Sequence, residues 1–282
     1  MKTLGLLIAL FAMASCQADT RNLERKLDEL NKKVDLLVAG GGGRGARGPD
    51  RPSRPAPEPA KTYSVPIDGD SFEGPADAKV TLVKAYDYAC PYCEKVRTTM
   101  DDLRKKYGND LRIVYKQFVV HPQVATASAL AFCAAAKQGK AVQMDNLLWD
   151  KGYKARNFDK DAEGGAAPQK CWDSAAGCPV VLGFAQELKL DAGKFKTDMK
   201  ECQQLVQKDM RDLQQLGVGA TPSFFINGRF MSGAGATETF AVLIDEELKK
   251  ASDRIGQGTP AAQYYQQWVL DKGQKTLDAP KQ

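Results

Sequence analysis

The pattern of apolar and polar positions divides this chain into unequal pieces. Leu4 to Ala14 is an apolar run, preceded by Lys2 and closed by the small residues Ala14 and Ser15. A helix crossing a hydrocarbon layer of about 30 Å needs about 20 residues, so this run is too short to span a membrane. A basic start, a short apolar core and a small-residue end predict a secretory signal peptide over residues 1–15. Apolar residues then recur at Leu23, Leu27, Leu30, Val34 and Leu37, in alternating steps of four and three with charged residues between. That spacing is the seam of a coiled coil, a short helix over 16–38. So short a helix is marginal alone in water, which leaves two expectations: a homo-oligomer joined through 23–37, or a solvated spacer. The periodicity then stops. Gly40 to Gly43, Arg44, Gly45, Arg47 and a proline-rich run through Pro59 make a tether over 39–62, flexible where glycine dominates and stiffer where proline does.

Beyond the tether the pattern becomes that of a folded domain, expected over 63–275. Val80 to Tyr86 is β-branched and apolar, a buried strand. Pro91 to Lys106 reads as a helix with Pro91 in its first turn, and Leu111 to Val120 as a second strand. From Val124 to about Leu216 the pattern is helical, broken near Gly164-Gly165 and between Cys171 and Pro179. Ser223 to Ile226, Asn227-Gly228 and Arg229 to Met231 form a strand–turn–strand hairpin signal. Thr237 to Ser252 is an amphipathic helix, and a last helix over 261–272 carries Tyr264, Tyr265 and Trp268, aromatics that read as core packing. Strands early and late around a helical block predict an α/β sheet with a helical insertion over about 122–216.

Charge and cysteine count then narrow the picture. A formal net charge of +5 over 282 residues is modest, and in an exported chain even the Arg-Gly stretch gives no reason to expect a nucleic-acid partner. There are seven cysteines. Met13-Ala14-Ser15-Cys16 resembles a bacterial lipoprotein cleavage box, with Met13 where leucine is usual, so Cys16 is expected to become the lipidated first residue of the mature chain. Gln17 resembles the pattern of lipoproteins sent to an outer membrane. Cleavage near Ala18, giving a soluble protein, is the alternative. Either route leads to an oxidising compartment of the bacterial envelope, where cysteines pair. Setting Cys16 aside leaves Cys90, Cys93, Cys133, Cys171, Cys178 and Cys202, an even set. Cys171 and Cys178 flank a short loop and suit a local disulfide. Four cysteines outside the Cys90–Cys93 pair still permit three connectivities.

Cys90-Pro91-Tyr92-Cys93, between a strand and a helix, carries the candidate chemistry. Disulfide exchange needs a thiolate that attacks and a second thiol near enough to resolve the mixed disulfide. Cys90 at a helix start faces unpaired N–H groups and the helix dipole, which should lower its pKa. Cys93 lies one turn further in, shielded, and can close on Cys90. A metal site would need further ligands, and the sequence has no second CxxC and a single histidine, His121. No cofactor is expected. His121 is expected to shape the turn into the helical block, with a catalytic role as the lesser reading.

The segment Val80 to Cys93 resembles the active-site strand and helix of DsbA-like thioredoxin-fold thiol–disulfide oxidoreductases. Gly217-Val218-Gly219-Ala220-Thr221-Pro222-Ser223-Phe224-Phe225-Ile226-Asn227-Gly228 resembles that family's second signature, and Phe118 to Pro122 before an Ala-rich helix fits as well. The resemblance covers about Tyr63 to Arg254. It implies a thioredoxin fold with a helical insertion, a cis peptide bond before Pro222, and a Thr221-Pro222 loop that offers its backbone to an extended substrate. It also implies a second disulfide in the insertion, which pairs Cys133 with Cys202. Two positions depart from the family. Lys84 stands where relatives commonly carry a glutamate that helps move the resolving cysteine's proton. A lysine there would favour the Cys93 thiolate if charged, or lose its own proton if desolvated, and Asp87 is the expected partner for it. Pro91-Tyr92 lacks the histidine of the most oxidising relatives.

The expected activity is therefore thiol–disulfide exchange on unfolded or cysteine-containing exported proteins, with a redox partner protein, from a lipid anchor in a membrane of the bacterial envelope. Oxidation of clients is the leading direction. An oligomeric isomerase or reductase is the rival, and a lipid-anchored protein holding a soft metal such as Cu(I) on the cysteine pair is the rival of another class.

Overall fold

The computed structural model describes residue 26, residues 56–158 and residues 170–277. The signal peptide, Cys16, the heptads from Leu23 to Leu37, the linker up to residue 55 and Gly164-Gly165 lie outside the described residues.

Five strands form one sheet: β1 (Ser71–Glu73), β2 (Val80–Tyr86), β3 (Leu111–Gln117), β4 (Ser223–Ile226) and β5 (Arg229–Ser232). Their order is β1-β3-β2-β4-β5, with β2 parallel to β3 and every other pairing antiparallel. β2 is central and buried at every position, which is why its sequence is apolar on both faces rather than alternating. Successive side chains still point to opposite faces. Val80, Leu82 and Tyr86 join a core with Cys90, Cys93, Met100 and Phe240. Val83 and Ala85 join another with Tyr63, Val114, Leu213 and Phe225.

On the first face lie α1 (Pro91–Lys95), α2 (Arg97–Tyr107) and α7 (Thr237–Gly256). The expected helix from Pro91 to Lys106 is thus interrupted at Val96, although Val96 N still donates to Tyr92 and Met100 N to Val96. The insertion comprises α3 (Pro122–Ala136), α4 (Ala141–Leu147), a π-helical turn over Leu148–Tyr153, α5 (Pro179–Glu187) and α6 (Ala192–Gln215). α3 is buried almost all round, as its alanines allow, and a disulfide joins its Cys133 to Cys202 of α6. A second disulfide, Cys171–Cys178, closes the loop before α5. α6 is tied to the sheet by a buried charge cluster: Lys116 donates to Asp70 and to Asp209, both at 2.7 Å. The last helix is shorter than expected, α8 (Ala261–Tyr264) followed by a π-helical turn over Tyr265–Leu270.

Three local features differ from the sequence pattern for physical reasons. β3 ends at Gln117 rather than Val120 because the next N–H groups leave the ladder: Val119 N donates to Met210 Sδ at 3.0 Å, and Val120 N and His121 N donate to Asp87. β1 gave no periodic signal because three residues are too few to show alternation. The hairpin turn is tight, with Asn227 and Gly228 both at positive φ, as two-residue turns between twisted strands require. A Cβ at Gly228 would come within 2.4 Å of the Tyr63 carbonyl.

Candidate active site

Cys90 is the N-cap residue of α1, with Pro91 in the first helical position. Pro91 has no N–H to leave unpaired and its φ is already helical. The Cys90 carbonyl accepts from Cys93 N at 3.1 Å and Glu94 N at 3.2 Å. Cys90 and Cys93 are free thiols, 5% and 2% exposed, whereas Tyr92 between them is 61% exposed.

The Thr221–Pro222 peptide bond is cis. It leads into β4, which pairs with β2 so that Ser223 lies opposite Ala85. That register brings residues 131 positions apart together: the Cys90 sulfur lies 3.3 Å from the Thr221 carbonyl oxygen, to which it donates when protonated. The Thr221 hydroxyl is buried with no partner other than the Cys90 sulfur.

The two sulfurs titrate in opposite directions. Cys90 is lowered to about 5, first by a hydrogen bond from the Cys93 side chain, then by the Thr221 side chain and the backbone N–H groups of Cys93 and Tyr92, against burial that raises it. Cys93 is pushed far above the ordinary thiol value, chiefly by burial and then by Cys90. A thiolate at neutral pH beside a thiol that keeps its proton is the asymmetry that attack and resolution in disulfide exchange require.

Lys84 and Asp87 are both buried here but do not meet. Asp87 Oδ1 accepts Ala89 N at 2.6 Å, and Oδ2 accepts Val120 N at 2.6 Å and His121 N at 2.8 Å, with His121 Nδ1 at 3.3 Å from the same oxygen. The expected Lys84–Asp87 partnership is therefore replaced by one between Asp87 and the loop after β3. The reason is that three backbone N–H groups leaving regular structure need an acceptor, and Asp87 is placed among them. The Lys84 ammonium nitrogen instead lies 4.3 Å and 4.4 Å from the ring centres of Tyr86 and Tyr115. Burial lowers its pKa, against the pull of Asp145, Cys93 and Glu73. Of the two behaviours open to a lysine at this position, the shift is toward losing the proton.

Some neighbours were not singled out from the sequence. Gln117 Nε2 donates to the Tyr86 hydroxyl, which shares a 3.0 Å hydrogen bond with the Tyr88 hydroxyl, and Tyr88 donates to Asp145 at 2.7 Å. Arg97 donates to Asp150 and Asn146, tying the active-site helices to the insertion. The Tyr88–Asp145 contact and the two of Arg97 span 49 to 57 residues, beyond any local pattern. Among the described residues no group of three or more His, Cys, Asp or Glu side chains could hold a metal ion, and no helix is long and apolar enough to cross a membrane.

The geometry agrees with a comparison to known families: a family model described as thioredoxin matches residues 68–246. The chain belongs to the thioredoxin family. Solved structures with the same fold include Wolbachia pipientis alpha-DsbA1, with TM-score 0.52 at 16% identity over 68% of this chain and 96% of that one. Oxidised BdbD from Bacillus subtilis gives TM-score 0.50 at 20% identity over 67% of this chain and 98% of that one. At such identities the likeness is one of fold. Curated relatives include the Na(+)/H(+) antiporter NhaA of Herminiimonas arsenicoxydans, 29% identical over 62% of this chain and 25% of that protein. NhaA 1 of Mycolicibacterium gilvum is 30% identical over 58% and 24%. The matches therefore cover about a quarter of the length of those antiporters.

Proposed function

We propose that this chain is a thiol–disulfide oxidoreductase that passes the Cys90–Cys93 disulfide to cysteine-containing proteins exported into the bacterial envelope. The observation that carries the reading is the opposed pair of sulfurs, Cys90 lowered to about 5 and Cys93 raised, packed against a cis-Pro222 loop. Cys90 forms the mixed disulfide and Cys93 resolves it. The Thr221 carbonyl, 3.3 Å from the Cys90 sulfur, is the acceptor for a backbone N–H of an extended client once Cys90 has reacted; pairing through main chain suits many client sequences. A stabilised thiolate lowers the free energy of the dithiol form, which makes the disulfide the more oxidising partner. This favours oxidation of clients. Another exchange protein or a membrane oxidase would restore the disulfide. Cys16 supplies the lipid anchor and Gly40 to Pro59 the tether.

The heptads from Leu23 to Leu37 support a second reading, a self-associated isomerase or reductase that keeps Cys90 reduced. The redox equilibrium against glutathione separates the two: a value near the oxidising end of the thioredoxin-fold range supports the oxidase, and one near that of thioredoxin, about −270 mV, the reductase. The roles of the two sulfurs are tested by trapping. Cys93→Ser should accumulate client mixed disulfides through Cys90, and Cys90→Ser should not. Equal trapping by both would contradict the assignment, and Cu(I) retained by the wild type but lost on Cys90→Ser would favour metal binding instead.

A further inference from the structure

Sheet order sets three distant segments side by side. β2 lies between β3 and β4, parallel to one and antiparallel to the other. The chain leaving β2, the chain leaving β3 and the chain entering β4 therefore meet at one edge. Cys90 is in the middle, Thr221–Pro222 on one side and Val120–His121 on the other. Asp87 locks this edge, since one carboxylate accepts from Ala89 beside Cys90 and from Val120 and His121 across from it.

The His121 ring is held by the same carboxylate through Nδ1 at 3.3 Å, with its side chain 50% exposed and that of Asp87 fully buried. An ionised carboxylate only accepts hydrogen bonds, so the proton between them belongs to Nδ1, and in the neutral ring Nε2 carries the lone pair. A carboxylate-oriented imidazole on a loop that flanks a reactive sulfur is an arrangement suited to deprotonating a nucleophile that approaches that sulfur. Cys90 has no need of one, because its own surroundings already ionise it. The sulfur in the exchange that lacks a base is the incoming one.

We propose that His121, oriented by Asp87, is the general base that takes the proton of the client thiol as it attacks the Cys90–Cys93 disulfide; this rests on the exchange reading above. The client sulfur bonds to Cys90 Sγ and the Cys90–Cys93 bond breaks. Its electron pair leaves on Cys93 Sγ, and the client proton goes to His121 Nε2. Cys93, which strongly favours its protonated form, then takes up a proton, and the half-exposed ring exchanges its own with solvent. The oxidant is the protein's own disulfide. An alkyl thiol of pKa about 8.5 is only about 3% ionised at pH 7, so the base can raise its rate by at most about 30-fold.

The test compares two thiols on the full chain in its disulfide form: glutathione, an ordinary alkyl thiol, and thionitrobenzoate, an aromatic thiol already ionised at neutral pH. His121→Gln keeps a side chain able to donate to Asp87 but has no basic nitrogen. It should slow reduction by glutathione about tenfold and leave the thionitrobenzoate rate within about twofold. Asp87→Asn should show the same selectivity for glutathione, as expected of a positioning residue. Equal slowing with both thiols in His121→Gln would mean a structural role and would overturn the proposal, as would no slowing with either. A wild-type protein that reacts with neither thiol would fail the exchange reading itself, and the base with it.

Discussion

Replacing Cys93 with alanine tests the physical origin of the Cys90 thiolate. The largest cause of the lowered Cys90 pKa is the hydrogen bond from the Cys93 side chain. A hydrogen bond to an ionised group contributes about 1.5–3 kcal/mol, and about 1.4 kcal/mol corresponds to one pKa unit. Cys93→Ala should therefore move the Cys90 midpoint from about 5 to about 6–7. Cys93→Ser keeps a donor at the same place, so its midpoint should stay within about half a unit of the wild type. Thr221→Val removes the next side-chain donor and should shift the midpoint upward by less.

The assay is the pH dependence of Cys90 alkylation by iodoacetamide in the reduced protein, followed by mass spectrometry. It carries a second signature. Thiolate nucleophilicity falls with pKa at a Brønsted slope of about 0.4–0.5, so the alkylation plateau above both midpoints should be about 3- to 10-fold higher in Cys93→Ala than in the wild type. A wild-type midpoint near that of a free thiol would refute the reasoning. So would a midpoint that stays put when Cys93 becomes alanine.

Three further outcomes follow from burial, charge and loop closure. The folded Cys90 pKa of about 5 lies below its ordinary value of 9.0, so its thiolate adds stability that is fully present above about 9 and is lost as pH falls through about 5. Cys93, shifted the other way, opposes this only above its ordinary value. The Tm of the dithiol form relative to the disulfide form should rise between those limits, and a flat difference would contradict the thiolate. Lys84 has its pKa lowered by burial and no carboxylate within ion-pair distance among the described residues, so Lys84→Met should stabilise the protein by about 1–2 kcal/mol in urea unfolding at pH 7. That gain should shrink as pH rises toward the ordinary lysine value of 10.5; a destabilised variant would show that the Tyr86 and Tyr115 rings hold the amine better than water does. Finally, the Cys133–Cys202 disulfide closes a separation of 69 residues and Cys171–Cys178 one of 7. Replacing each pair with alanine should cost about 4 and about 2.5 kcal/mol in denaturant unfolding, and the reverse order would count against chain entropy as the cause.

What the sequence shows of this fold follows the range of the forces involved. β2, the Asn227-Gly228 hairpin and the start of α1 at Pro91 are set by neighbours in the chain, and each is visible as pattern or turn chemistry. The cysteine pair is equally local. Thr221–Pro222 carries no chemistry that spacing alone would reveal; it is legible only through its resemblance to a known loop, and sheet register brings it to Cys90. Lys84 and Asp87 show where local reading stops. Both are charged residues near the end of a buried strand, three positions apart, and a mutual ion pair is the natural expectation. They lie on different structural duties because two backbone N–H groups after β3, more than thirty residues on, join the nearby Ala89 N–H in binding the Asp87 carboxylate. Tyr88 and Asp145 are likewise joined only through the insertion.

The unequal treatment of those two charges is consistent with the chemistry at this edge. An unpaired buried carboxylate close to Cys90 would oppose the thiolate by like-charge repulsion. Asp87 is instead surrounded by three N–H donors and the His121 ring, so its charge is neutralised locally and spent on fixing the loops on either side of Cys90. Lys84, with no such partners, sits under Tyr86 and Tyr115 with its pKa lowered, where a fully charged ammonium would favour a Cys93 thiolate and weaken the asymmetry between the two sulfurs. Keeping Cys93 protonated while Cys90 is ionised requires that neither charge dominate the pocket. Burying one charge inside hydrogen bonds and desolvating the other meets that requirement.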